Sequence, residues 1–336
     1  MSSASILGID VGGTKVESAL VDADGSVRTA HRHPTNADRG AHRVIDDIVR
    51  CVRSCLSQAS RRAVAAGVGV AGQVDPETGV VRSAPSLDWR EVPLQERLKD
   101  ALDLPVTVAN DVRAITHGVW THGAGRGTDN LVVVFVGTGI GGGIVSDGHV
   151  LEGGQGLAGE LGHTTLMPYG RSCRCRSRGC WEAYAGGWAL GERARKAART
   201  DPEAGAALIE RAGDVESITG RTVHEAYDEG DPLATRLVDA TAEYLGLGLA
   251  SVVNAVNPER VVLGGGVIEG HPSYAEEARR IVRAQALRPA ADEVEIVTSE
   301  LGGRAGTVGA ATMAWTHHEG REATQKPPDS QAGRPT

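Results

Sequence analysis

Two stretches far apart in this chain share one layout. SILGIDVGGTKVESALVDADGSVRTA, near the start, reads as strand, Gly-Gly turn, strand, Asp-Gly turn, strand. LVVVFVGTGIGGGIVSDGHVLEGG, from Leu131, reads the same way: an apolar strand, a glycine-rich turn, a strand, a turn at Asp147-Gly148, and a strand. A chance echo of two hairpins is one account. The other is a duplicated α/β domain with a cleft between the copies, where paired hairpin turns face a ligand from both sides. On that reading residues 1–116 form a smaller domain completed by a helix at 304–316. Residues 117–303 form a larger one, and 317–336 are a polar, Pro-rich tail expected to be disordered.

The remaining pattern fits this plan. Helical periodicity runs through 40–59, with Cys51 and Cys55 on one face. Val64–Val70 reads as a buried strand, followed by a Pro- and Gly-rich loop through Trp89 to Pro93. A short helix is expected at 94–101, then a strand at Pro105–Ala109. A further helix opens at Asn110-Asp111 with Asn110 as N-cap. Helices are expected at 181–198, 202–212, 219–229, 231–255 and 273–287, with strands at RVVL and 294–298. With one Phe among 336 residues, the core must be Val, Ala, Leu and Ile.

Several function classes drop out. The formal net charge is −8 and no basic run dominates, which argues against a nucleic-acid partner. No apolar run approaches the ~18 residues needed to span a bilayer. The start of the chain has no positive segment before an apolar one. A cytoplasmic protein without membrane attachment is therefore expected.

Three glycine turns are candidate phosphate cradles. In Asp10-Val11-Gly12-Gly13-Thr14-Lys15 the glycines let backbone N–H groups approach an anion, and Thr14 adds a hydroxyl. Asp10 suits Mg²⁺ held through water. The run joins two strands, so it is not a Walker loop. Gly137-Thr138-Gly139-Ile140-Gly141-Gly142-Gly143 is stronger, because glycine weakens a strand and a close ligand is a sufficient reason for so many. Gly264-Gly265-Gly266 follows RVVL as a third. Taken singly, each also suits an ordinary turn.

Asn110-Asp111 ends a parallel strand and opens a helix, the usual edge of a ligand crevice. An aspartate there can accept a proton from a hydroxyl, although a capping pair has the same residues. Gly159-Glu160-Leu161-Gly162-His163 puts Glu160 and His163 on one face of a helical turn. Cys173, Cys175 and Cys180 follow. Three thiolates and the His163 imidazole make a closed tetrahedral zinc set with no open position, hence a structural metal that fixes the loops bearing Glu160 and Glu182.

Together, Asp10–Lys15, Asn110-Asp111, Gly137–Gly143, Gly159–His163 and Cys173–Glu182 resemble the ROK family of repressors, open reading frames and kinases, in matching order over about 5–316. The resemblance implies an actin/hexokinase-like (ribonuclease H-like) fold and an ATP-dependent hexose kinase, most simply a glucokinase forming glucose 6-phosphate. It makes Asp111 the base. Gly72, Asn110, Glu160, His163 and Glu182 border or contact the sugar. Asp10, Gly12, Gly13, Thr14, Lys15, Gly137, Thr138, Gly139, Gly265 and Gly266 hold Mg-ATP, and His163, Cys173, Cys175 and Cys180 hold zinc. A homodimer or dimer of dimers is the implied assembly. N-acetylglucosamine and N-acetylmannosamine kinases share these motifs, as do non-catalytic sugar sensors. Repressors of the family carry a DNA-binding domain ahead of the Asp-x-Gly-Gly motif, and nine residues before Asp10 leave no room for one. This chain has Arg176 where the family usually has Gly, and Ser86 where its glucokinases often have Asn.

Overall fold

A computed structural model describes residues 4–325. The chain divides into two compact units: residues up to Gly118 together with those from Ala305 onward, and Val119–Arg304.

The first unit is built on five strands: β1 (Ser5–Val11), β2 (Lys15–Asp22), β3 (Val27–Pro34), β4 (Ala63–Val70) and, after a small accessory sheet, β8 (Val106–Asn110). Their order is β3-β2-β1-β4-β8. The first three are antiparallel, because the short connections at 12–14 and 23–26 can only reverse the chain. β4 and β8 run parallel to β1 after crossovers through α1 (Gly40–Ser57) and α2 (Leu94–Leu102). On α1, Val44, Ile45, Ile48, Val52 and Cys55 recur at helical spacing and are buried. The Cys51 and Cys55 thiols belong to this core. The closing helix Ala305–Gln325 packs on β1 and β4. It runs past the expected end at 316, so residues 317–325 are helical and not part of a tail. Of the expected tail, 326–336 lie outside the described residues.

The stretch expected to be one Pro- and Gly-rich loop holds a three-stranded antiparallel sheet, β5 (Gln73–Val74), β6 (Val81–Ala84) and β7 (Trp89–Val92). Each strand is shorter than the window in which alternation can be read. Buried Val81, Leu87 and Trp89 tie this sheet into the same core. The helix α3 (Asp111–His122) follows β8 directly.

The second unit repeats the arrangement. β9 (Leu131–Val136), β10 (Ile140–Ser146) and β11 (His149–Val150) are antiparallel, while β12 (Arg260–Gly264) and β13 (Glu295–Thr298) run parallel to β9, in the order β11-β10-β9-β12-β13. The hairpin echo in the sequence is thus an echo of sheet topology. Helices α4 (Glu182–Ala185), α5 (Gly187–Thr200), α6 (Ala206–Ala212), α7 (Gly220–Asp228) and α8 (Pro232–Val256) lie between β11 and β12. α9 (Gly266–Gly270), α10 (Ser273–Gln285) and α11 (Ala290–Glu293) follow β12, and α9 and α11 had no sequence signal. The helix expected at 181–198 is two, broken at Gly186, whose extended backbone ends α4 and caps α5. α8 starts with Pro232 behind Asp231, whose side chain accepts the Ala234 N–H at 2.7 Å. Among the described residues no helix is long and apolar enough to cross a membrane.

Candidate functional site

The second unit contains a cavity of about 780 Å³, the size of a nucleotide-class ligand site. Gly137 and Thr138, in the turn between β9 and β10, form one wall. The first residues of three helices, Gly187 of α5, Gly220 of α7 and Gly266 of α9, line the rest. Helix amino ends carry the positive pole of the helix dipole, so their convergence suits a chain of phosphates. They come this close because their side chains are absent. A Cβ on Gly220 would lie 2.5 Å from the Gly187 carbonyl oxygen. The α5 end is pinned to the turn by Gly187 N–H to the Gly137 carbonyl at 3.0 Å and Trp188 N–H to that of Thr138 at 2.8 Å.

Charge and rings complete the cavity. Arg174, Arg195 and Arg221 supply cationic groups, and Arg174 stacks over the Trp188 indole at 4.7 Å. At another point the His224 and His271 rings stack at 4.2 Å, and His224 Nε2 shares a 3.0 Å hydrogen bond with the Tyr274 hydroxyl. Burial pulls His224 down to about 4, with the neighbouring His271 adding to the effect, so the ring is neutral near pH 7.

Glu182 is fixed from two sides. Its Oε2 accepts the Ile140 N–H at 2.9 Å and its Oε1 accepts the Trp188 indole N–H, also at 2.9 Å. A Cβ on Gly139 would stand 2.3 Å from Oε2. The second glycine of the turn is therefore there for Glu182 as much as for any phosphate. Each carboxylate oxygen keeps a lone pair for a hydroxyl donor. Glu160 caps the short 3-10 turn Leu161–His163, and among the described residues its carboxylate has no partner.

His163, Cys173, Cys175 and Cys180 meet, with all four ligand atoms within 4.8 Å of one another. Cys175 and Cys180 Sγ are 3.6 Å apart, and Cys173 Sγ is 3.8 Å from His163 Nδ1. Zn–S bonds of about 2.3 Å in a tetrahedron require S···S near ~3.8 Å, so the set fits zinc. Without a cation, burial pushes the Cys173 thiol up to about 12, and Cys180 is raised for the same cause. A bound cation would favour the thiolates there. The loop is closed by Thr165–Cys180 and Ser172–Arg178 bridges. Arg176 holds φ +73°, a left-handed conformation that favours glycine.

In the first unit, Asn110 Oδ1 accepts the Val112 and Arg113 N–H groups at 2.9 and 3.1 Å, so it caps α3. Its Nδ2 donates to the Gly72 carbonyl at 3.2 Å, which ties that loop to the helix start bearing Asp111. Burial, and then the Asp111 charge, push Asp10 up to about 7, with Lys15 opposing. A pair of carboxylates in that state suits a divalent cation. Gly12 N–H bonds the Lys15 carbonyl at 3.0 Å, closing the turn, while the Lys15 ammonium lies 3.6 Å from Glu17.

Of the residues expected to hold the nucleotide, Gly137, Thr138 and Gly266 line the cavity directly, with Gly139 and Gly265 beside them. Asp10 and Gly12–Lys15 belong to the other unit. Arg174, Trp188, Arg195, Thr219, Arg221, His224 and His271 were not expected. Only Thr219-Gly220, a cap before a glycine, left a legible trace.

Residues 6–317 match the profile of the ROK family. The chain is 34% identical over 313 residues to a glucokinase from Streptomyces coelicolor, covering 92% of this chain and 96% of that one. It is 30% identical over 320 residues to an N-acetylmannosamine kinase from Shigella flexneri, at 92% and 98% coverage. A crystal structure of a ROK family glucokinase from Streptomyces griseus, in complex with glucose and AMPPNP, superposes with a TM-score of 0.82 at 34% identity, covering 93% of this chain and 100% of that one. The chain belongs to the ROK family. Its fold is the duplicated actin/hexokinase-like one that the paired sheets describe.

Proposed function

We propose that this chain is an ATP-dependent glucokinase, transferring the γ-phosphoryl group of ATP to the 6-hydroxyl of glucose. The observation that carries the reading is the Gly137–Gly139 turn. One face of it walls the nucleotide-sized cavity and the other holds the Glu182 carboxylate, so a phosphate site and a hydroxyl-binding group share one rigid element. Relatives at 34% identity are glucokinases, and one is solved with glucose and a nucleotide analogue.

Glu160 and Glu182 in the second unit accept sugar hydroxyl hydrogens, and Asn110 in the first offers an amide hydrogen. His163 Nδ1 faces the cysteines, which leaves Nε2 for a hydroxyl. Asp111, at the amino end of α3, takes the proton of the attacking hydroxyl while Asn110 fixes the helix start behind it. Gly13 and Thr14 in the first unit, and Thr138, Gly139, Gly265 and Gly266 in the second, offer backbone N–H groups to the phosphates, while the Gly12 and Gly137 N–H groups close their own turns on the Lys15 and Gly139 carbonyls. Lys15 adds positive charge to the turn while its ammonium lies 3.6 Å from Glu17. Asp10 would hold Mg²⁺, which when bound would supply countercharge to the phosphates. His163, Cys173, Cys175 and Cys180 would hold a structural zinc, which would fix the segment from Glu160 to Glu182. A cytoplasmic homodimer or dimer of dimers completes the reading, as the family resemblance implies.

An ADP-release assay over glucose, mannose, fructose, N-acetylglucosamine and N-acetylmannosamine tests the substrate. Fast turnover of glucose is expected. No turnover of glucose with fast turnover of an acetamido sugar moves the chain to the other kinase class, which the Shigella relative keeps open.

A further inference from the structure

α5 has two working faces. Gly187, Gly191 and Arg195 line the nucleotide cavity, and Arg193, Lys196 and Thr200 line a second cleft of about 420 Å³ that shares no residue with the first. Arg171, at the entry to the cysteine loop, and Arg236 of α8 close this second cleft. Four cationic side chains therefore meet one acid, Asp201, and that carboxylate is engaged by the Ala204 N–H at 3.0 Å.

The two inner guanidinium groups are not neutralised. Arg193 Nη2 donates to the Leu237 carbonyl at 3.3 Å and to the Thr241 hydroxyl, both uncharged. Arg193 Nε and Arg171 Nη1 are buried without a hydrogen-bond partner. Arg171 is held in place by stacking, 4.3 Å from the Tyr184 ring centroid and 5.2 Å from that of Tyr244. Burial pulls Arg193 down to about 10, and the like charge of Arg171 pulls the same way. A buried cation facing another cation is costly unless an anion joins them.

We propose that this cleft is a second ligand site, which binds a phosphoryl group carried either by inorganic phosphate or by a small phosphate ester. The preference for phosphoryl over carboxylate follows from the charge count and from the guanidinium forks, which match a tetrahedral dianion through several parallel N–H bonds. The site stands whether or not the chain phosphorylates glucose.

The test is calorimetric titration of the full-length protein with inorganic phosphate in one arm and glycerol 3-phosphate in the other, at constant ionic strength. Glucose and a non-hydrolysable ATP analogue are kept saturating so that the first cavity is filled. The comparison is with the Lys196→Ser/Arg236→Ser variant, since both positions are exposed and the fold tolerates their loss. The wild type is expected to bind, and the variant at least roughly tenfold more weakly, the scale of a charge-assisted contact. Tighter binding of the ester assigns the site to an ester, and equal binding assigns it to phosphate itself. No binding of either probe, or equal affinity in wild type and variant, overturns the proposal.

Discussion

Asp10 and Asp111 flank one residue, Gly69. It is the ladder partner of Asp10 across β1 and β4, and a Cβ on it would come within 3.3 Å of the Asp111 Cα. Asp10 on β1 and Asp111 just past the end of β8 thus approach from either side of β4. Their mutual repulsion, added to burial, is why Asp10 titrates near about 7.

A stability profile follows. The raised group binds a proton in the folded state that it does not bind when unfolded. Its contribution is full below the ordinary value of 3.8 and is lost as pH rises through about 7. Asp10→Asn removes that loss. Apo-protein melting temperatures measured from pH 5 to pH 8 are expected to show the variant gaining on the wild type as pH rises, while turnover with Mg-ATP is lost. A constant difference across the range contradicts the placement of Asp10.

Glu182 is oriented by the Trp188 indole N–H together with the Ile140 N–H. Trp188→Phe keeps the ring and removes the donor. A hydrogen bond to a charged group is worth about 1.5–3 kcal/mol, so the KM for glucose is expected to rise by about tenfold or more. Zinc content should stay unchanged, and steady-state kinetics with metal analysis on the same sample check both.

The cavity depends on α5 and α7 touching backbone to backbone. Gly220→Ala puts a methyl 2.5 Å from the Gly187 oxygen and must push the helix ends apart, at an overpacking cost of about 1–3 kcal/mol. The KM for ATP is expected to rise while the KM for glucose holds. Equal rises in both would place the nucleotide elsewhere.

Arg176 carries a conformation that costs a non-glycine residue about 1–2 kcal/mol. Arg176→Gly restores the residue usual in the family and is expected to raise the melting temperature and retain one zinc per chain. A protein without zinc would contradict the reading of the cysteine cluster.

The hairpins, the parallel strands and the cysteine set were legible because each rests on a short-range signal: a turn dipeptide, an apolar run, a ligand spacing. Asn110 also announced itself, since a cap before a helix is local chemistry. The β5–β7 sheet did not, because two- and four-residue strands carry too little alternation. The break at Gly186 was hidden within a continuous helical pattern. The closing helix outran its apolar stripe, and its polar end read as tail. Arg221, His224 and His271 come from α7 and from beyond α9, and only tertiary packing brings them to the Gly137 turn. The role of Gly139 as the seat for Glu182 is likewise invisible until α4 is folded against β10.

The central claim is that Asp111 removes the proton from the sugar. It is tested most directly by single-turnover formation of glucose 6-phosphate in Asp111→Asn, with glucose binding measured on the same preparation. The account predicts near-normal binding and a chemical step slowed at least ~10²-fold, the scale of general-base catalysis. A variant that binds glucose and turns it over at close to the wild-type rate would contradict it.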